Sequence, residues 1–155
     1  MKAKPNEAEI QYKKAVELLS KLTADYPRIP LYKKELANAY NSLAAVYAQT
    51  PASYEAARES WDKARRLLDQ LVADYPENSE YRSLLGLILG GQAWLADKQN
   101  KPEQARELVQ QAITLQRSAL DRNPRNPDYQ NRLVEHSKYL NDLNSRHART
   151  EAASK

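Results

Sequence analysis

Three proline-marked corners constrain this chain more than any other feature. Asp25-Tyr26-Pro27, Asp74-Tyr75-Pro76 and Arg122-Asn123-Pro124 recur so that 49 residues separate Tyr26 from Tyr75 and 48 separate Tyr75 from Asn123. A few residues after each corner stands a Tyr that opens the next helical pattern: Tyr32, Tyr81 and Tyr129. Proline cannot continue a helix interior and pushes the residue before it out of the helical region, so each corner ends one helix and resets the direction of the chain. Self-similarity at a fixed spacing is the signature of a helical array.

Composition agrees with helix. The 155 residues are 41% apolar and 28% charged, with three Gly and no Cys. That is too apolar and too weakly charged for a disordered chain, and the length suits one ordinary domain. A net charge of +4 permits an acidic partner without arguing for nucleic acid. Without cysteine there is no disulfide framework, thiol nucleophile or Cys-ligated zinc. No apolar run approaches the ~20 residues of a membrane span. The polar start MKAKPNEAEI lacks the apolar core of a signal peptide. A soluble cytoplasmic chain with no membrane contact is the expectation.

Taken in order, the pattern predicts six antiparallel helices in a single domain, at about 6–26, 30–49, 52–75, 79–99, 102–123 and 127–147, with 150–155 as a frayed tail. In the first, Ala8, Tyr12, Ala15, Leu19 and Leu22 share a stripe. The second carries a broad apolar face from Tyr32 to Tyr47, and Thr50-Pro51 reads as a cap and first turn for the third. Ala57, Trp61, Ala64, Leu68, Leu71 and Val72 form the buried side of that third helix. All three glycines fall in the fourth, at Gly86, Gly90 and Gly91. A mid-helix Gly costs about 1 kcal/mol against Ala, so they need a packing reason. Lys98–Lys101 is a polar turn and Pro102 restarts the helix. Ala105, Val109, Ala112, Ile113 and Leu120 mark the fifth helix, and Tyr129, Leu133, Val134, Leu140 and Leu143 the sixth. The outer half of the sixth turns polar, as an end cap must.

Superposed, the units read Tyr40-x-x-Leu43-Ala44-x-x-Tyr47 and then Ala57-x-x-x-Trp61-x-x-Ala64. This resembles the tetratricopeptide pattern of a bulky residue, a large-small pair, an aromatic, then Ala-x-x-x-aromatic-x-x-Ala. The second unit follows it through Leu89, Ala93, Ala105, Val109 and Ala112, with Gln92 and Ala96 departing from the pattern. The spacing is about 14 residues longer than the usual 34. LVADYPENSEYRSLLGLIL and ARELVQQAITLQRSALDRNPRNPDYQNRL are further similar to the repeat region that follows the kinase domain in many planctomycete serine/threonine kinases, over about 32–143. The resemblance implies an all-α, tetratricopeptide-like right-handed array with an unusually long repeat, and a non-catalytic, partner-binding module of a larger bacterial signalling protein.

Nothing in the residues argues for chemistry. His136 and His147 have no second His at ligand spacing, and a surface or partly buried role is expected for His136. Glu55/Glu59 and Glu103/Glu107 interleave with Arg58 and Arg106 as solvated helix partners. Neither a catalytic residue nor a cofactor nor a metal ligand is assigned. In a tetratricopeptide array the first helix of each pair lines the concave side. By that resemblance a protein or peptide partner would meet Lys34, Asn38, Asn41, Ala45 and Ala48 of the second helix. It would also meet Leu87, Gly90, Trp94 and Lys98 of the fourth, and Glu135, Lys138 and Asp142 of the sixth. Trp94 falls outside the stripe Leu85, Leu89, Ala93, Ala96, and Gly90 one turn earlier would leave its ring uncovered. An exposed Trp is the kind of anchor that dominates interfaces, whereas Trp61 reads as core. Two other partners fit less well. Homodimerisation could cover Tyr12, Val16 and Leu19. Nucleic acid could meet Arg117, Arg122, Arg125, Arg132, Arg146 and Arg149, although acidic residues dilute them and no aromatic residues interleave.

Overall fold

The protein is seen in a computed structural model that describes residues 6–153. Every regular element in it is helical: α1 Glu7–Asp25, α2 Pro30–Tyr47, a 3-10 turn Pro51–Ser53, α3 Tyr54–Asp74, α4 Ser79–Lys98, α5 Pro102–Arg122 and α6 Pro127–Ala153. The chain divides into two compact units between Pro76 and Glu77. No helix among the described residues is long and apolar enough to cross a membrane.

The three corners are one structure used three times. Tyr26 lies at φ −128, ψ 62, Tyr75 at φ −130, ψ 65 and Asn123 at φ −132, ψ 68. Each keeps a last bond to the helix it ends, donating to the carbonyl of Leu22 at 2.9 Å, Leu71 at 2.9 Å and Ala119 at 3.1 Å. The following proline forces this departure from helical geometry, because its ring clashes with the α conformation of its predecessor. Asn78 and Asn126 then cap the next helices. Asn78 Oδ1 accepts from the backbone of Glu80 and Tyr81 at 3.0 and 3.2 Å, and Asn126 Oδ1 from Asp128 and Tyr129 at the same distances. A cap of this kind contributes about 1 kcal/mol. Ile29 has no such oxygen, and α2 starts on Pro30 alone.

In the first unit α1 packs on α2 and α2 on α3. Ala37 and Ala44 of α2 and Ala57 and Ala64 of α3 are fully buried, small enough to let the helices close, with Leu68 and Leu71 also sealed. Trp61 is 4% exposed, the core position expected for it. The turn before α3 differs from expectation. Thr50 caps nothing; its hydroxyl donates to Ser53 Oγ at 3.2 Å, and a 3-10 turn precedes the α-helix. The stripe of α1 also differs: no residue of that helix is buried, and Ala8 is exposed. One repeat on, Ala57 and Ala105 stand at the equivalent position and are fully buried. Each of those lies on a helix packed against the one before it, α3 on α2 and α5 on α4.

In the second unit α4 packs along α5, α5 on α6, and α4 meets α6 only along a short seam. Leu89, Ala93, Ala96, Ala105, Leu108, Val109, Ala112 and Leu143 form one buried cluster with Leu115, Tyr139 and Leu140 at its edge. Burying each of the leucines contributes about 1.5–3 kcal/mol. Asn100, at φ 59, ends α4 in the left-handed conformation that Asn tolerates. Lys101 N–H then reaches the carbonyl of Ala96 at 2.9 Å, and Asn100 N–H that of Asp97 at 2.9 Å. Two further expectations need correction. α6 does not stop near 147: positions 150–153, expected as a frayed tail, continue the helix, while 154–155 lie outside the described residues. Val134, expected on the apolar face, is 66% exposed.

Candidate functional site

α4 is the most enclosed helix of the chain, and what it leaves open is narrow. Its sequence is apolar nearly all round, so Leu84, Leu85, Ile88, Leu89, Ala93, Leu95 and Ala96 are all buried. Leu87, Gly91 and Trp94 are half-buried, and Lys98 is exposed. Spacings of three, four and seven put these four residues on one strip. Lys98 Nζ stands 5.5 Å from the Trp94 ring centroid, a cation–π contact worth ~0.5–1 kcal/mol at such a site. The strip is thus apolar at its centre and cationic at its end. On α6, Glu135, Lys138 and Asp142 are exposed, with Asp142 3.4 Å from Arg146.

Gly90 has a different role from the one its sequence position suggested. A Cβ placed there would come within 2.5 Å of His136 Cε1 and 3.1 Å of His136 Nδ1. The gap therefore belongs to the His136 ring on α6 and does not uncover Trp94. His136, expected to be at the surface or partly buried, is 7% exposed. Its Nε2 meets no hydrogen-bond partner. Desolvation pushes its pKa below the usual 6.5 and Arg132 acts the same way, while Glu135 pulls it up.

Gly86 is explained in the same manner. A Cβ there would lie 2.7 Å from Gln116 Nε2 and 3.2 Å from the carbonyl of Ala112. Gln116, fully buried, accepts from Ser83 Oγ at 2.7 Å and donates to the Ser83 carbonyl at 2.8 Å. Arg132 of α6 donates to Ser83 Oγ at 2.8 Å. Three helices are joined there through groups that satisfy one another, as buried polar groups must be. At the other end of the seam Asp97 accepts from Tyr139 Oη at 3.1 Å and from both terminal nitrogens of Arg146 at 3.2 and 2.9 Å. Burial, chiefly, and the Asp97 charge raise the Tyr139 pKa well above its ordinary value. That keeps the phenol a donor.

In the first unit, Asn41 is not available in the way expected. Its Oδ1 accepts from Trp61 Nε1 at 2.9 Å, so it satisfies a core tryptophan. Lys34 and Asn38 are half-buried and Ala45 is exposed. Lys34 Nζ lies 3.4 Å from Glu35. No group of three or more His, Asp or Glu side chains among the described residues is placed to share a metal ion. Glu55 and Glu103 each pair with the Arg three residues on, Arg58 and Arg106; the first pair is exposed on both sides, whereas the Arg106 side chain is mostly buried.

The residues that sequence reasoning missed, Ser83, Gln116 and His136, carried a signal in the repeat register. Gln116 occupies the position of Leu68, one unit earlier, and His136 that of Ala39 and Ile88, both buried. A polar residue at a buried repeat position must find a partner, and here glycines opposite make the room. No protein-family model, curated protein or solved structure matches the chain.

Proposed function

We propose that the chain is a non-catalytic interaction scaffold of tetratricopeptide-like helical pairs, a module of a larger signalling protein that takes a peptide or protein partner on the first helix of each pair. The observation that carries this reading is an open strip on α4. A helix otherwise buried on most sides leaves Leu87, Gly91 and Trp94 partly accessible and ends the strip in Lys98. Half-exposed aromatic and aliphatic side chains with charge at the edge are what interface anchors are made of. Glu135, Lys138 and Asp142 of α6 would supply polar contacts, and Lys34, Asn38 and Ala45 of α2 a second patch in the first unit. The test is affinity capture from a lysate of the source organism with wild type and Trp94→Ala in parallel. A partner held by wild type and lost by the variant supports the reading. Equal capture, or none above the bare matrix, rejects it.

Self-association is the second reading, favoured by α1. That helix buries no residue, and Ile10 and Leu18 are 40% and 60% exposed. A second copy covering them would give a dimer. Sedimentation at rising concentration decides: a constant monomer mass rules it out.

A further inference from the structure

The short seam between α4 and α6 is closed by one imidazole. His136 presses its ring edge onto Gly90, where no side chain of any size would fit, and its Nε2 is sealed from solvent with no hydrogen-bond partner. Around it, among the described residues, no buried carboxylate is placed to receive a proton's charge. From Leu84 to Ala96 α4 carries no ionisable residue at all. The buried face of α5, from Ala105 through Leu108, Val109, Ala112, Ile113 and Gln116 to Ala119, carries none either. The nearest charges come from its own helix. Arg132 opposes a second cation, and Glu135, one residue before the ring, is exposed to solvent. The remaining carboxylate of the seam, Asp97, is taken up by Tyr139 and Arg146.

We infer that His136 is an acid-sensitive latch: the neutral ring holds α6 against Gly90 of α4, and protonation opens the seam. A buried cation without a counter-ion is far costlier than a neutral ring, so the charged form must reach water. Reaching water means withdrawing the ring from Gly90. The polar join at Ser83, Gln116 and Arg132 and the Asp97 clamp would keep α6 attached on either side. The change is therefore local, at the middle of the helix and behind the Leu87–Trp94 strip, not a general unfolding. The latch stands whether or not that strip takes a partner.

The direction follows from linkage. The native histidine titrates below its unfolded value of 6.5, so its stabilising contribution is complete above that pH. It is lost as pH falls through 6.5 toward the native pKa. The test uses the 155-residue chain carrying His147→Gln, so that one histidine remains for NMR. The His136 ring resonance should titrate with a midpoint below 6.5, and the amides of about 132–140 should shift with the same midpoint. In parallel, the urea midpoint should fall between about pH 7.5 and about pH 5.5 in the His147→Gln protein and hold nearly constant when His136→Gln is added. A ring that titrates at or above its ordinary value, amides that ignore the transition, or an equal acid loss in the double variant would each overturn the latch. Should His136→Gln not fold, the NMR titration decides alone.

Discussion

The two units fill equivalent repeat positions with opposite chemistry. Where the first places Ala37 on α2 and Leu68 on α3, the second places Gly86 on α4 and Gln116 on α5. All four are buried. The first unit closes by letting small and large apolar residues meet, a solution that tolerates modest change in shape. The second removes a Cβ so that an amide can reach a serine and, through it, an arginine of the third helix. The tryptophans of the two units differ in the same sense. Trp61 is enclosed and satisfied by Asn41, while Trp94 stays partly open under Lys98. The lesson is that a repeat fixes where side chains are buried, not what they must be. Polar residues admitted to such positions exchange hydrophobic gain for a fitted join.

That contrast can be broken by substitution. Leu68→Ala removes a fully enclosed side chain and should cost about 2–5 kcal/mol in chemical denaturation. A loss below 1 kcal/mol would mean that the first unit is not packed as described. Gly86→Ala drives a methyl into Gln116 and the Ala112 carbonyl, an overpacking cost of ~1–3 kcal/mol against a helix-propensity gain of ~1 kcal/mol. A net destabilisation is expected, and a more stable variant would refute the fitted join. Asn41→Ala leaves the Trp61 N–H without its acceptor and should cost about 1–3 kcal/mol, whereas Asn38→Ala should stay within ~0.5 kcal/mol. Equal values would undo the assignment of Asn41 to the core. The smallest effect is at the end of the array. Ala8→Leu should change stability by less than ~0.5 kcal/mol, while Ala57→Leu, one repeat later and fully buried, should cost ~1–3 kcal/mol. Parity between the two would show that α1 is covered after all.

Much of the fold was legible because its signals are local. Tyr26-Pro27, Tyr75-Pro76 and Asn123-Pro124 set their own backbone, and Asn78 and Asn126 cap helices through atoms two and three residues away. Six helices followed from those marks. What was not legible depended on neighbours. The stripe of α1 says which residues could be buried, but no residue of that helix is buried and Ala8 is exposed. Thr50 looked like a cap, yet Pro51 began a 3-10 turn and the hydroxyl turned to Ser53. α6 ran on to Ala153 because nothing after Arg146 stops it: Ala148, Arg149, Glu151 and Ala152 all favour helix, with no Gly or Pro among them. Of the candidate site, Trp94, Leu87 and Lys98 do share an open strip. Asn41 and Gly90 were misassigned because their partners, Trp61 and His136, lie 20 and 46 residues away. Read alone, His136 suggested a surface or partly buried ring. Read beside the buried Ala39 and Ile88 at its repeat position, it marks an interior.

The central claim is that one set of side chains builds the helical pairs while a second set stays half-open, with Trp61 in the first and Trp94 in the second. Urea unfolding of Trp61→Ala and Trp94→Ala beside wild type tests it most directly. Trp61→Ala should lose about 3–5 kcal/mol and Trp94→Ala no more than about 1 kcal/mol. Equal losses would place both rings in the core and contradict the account.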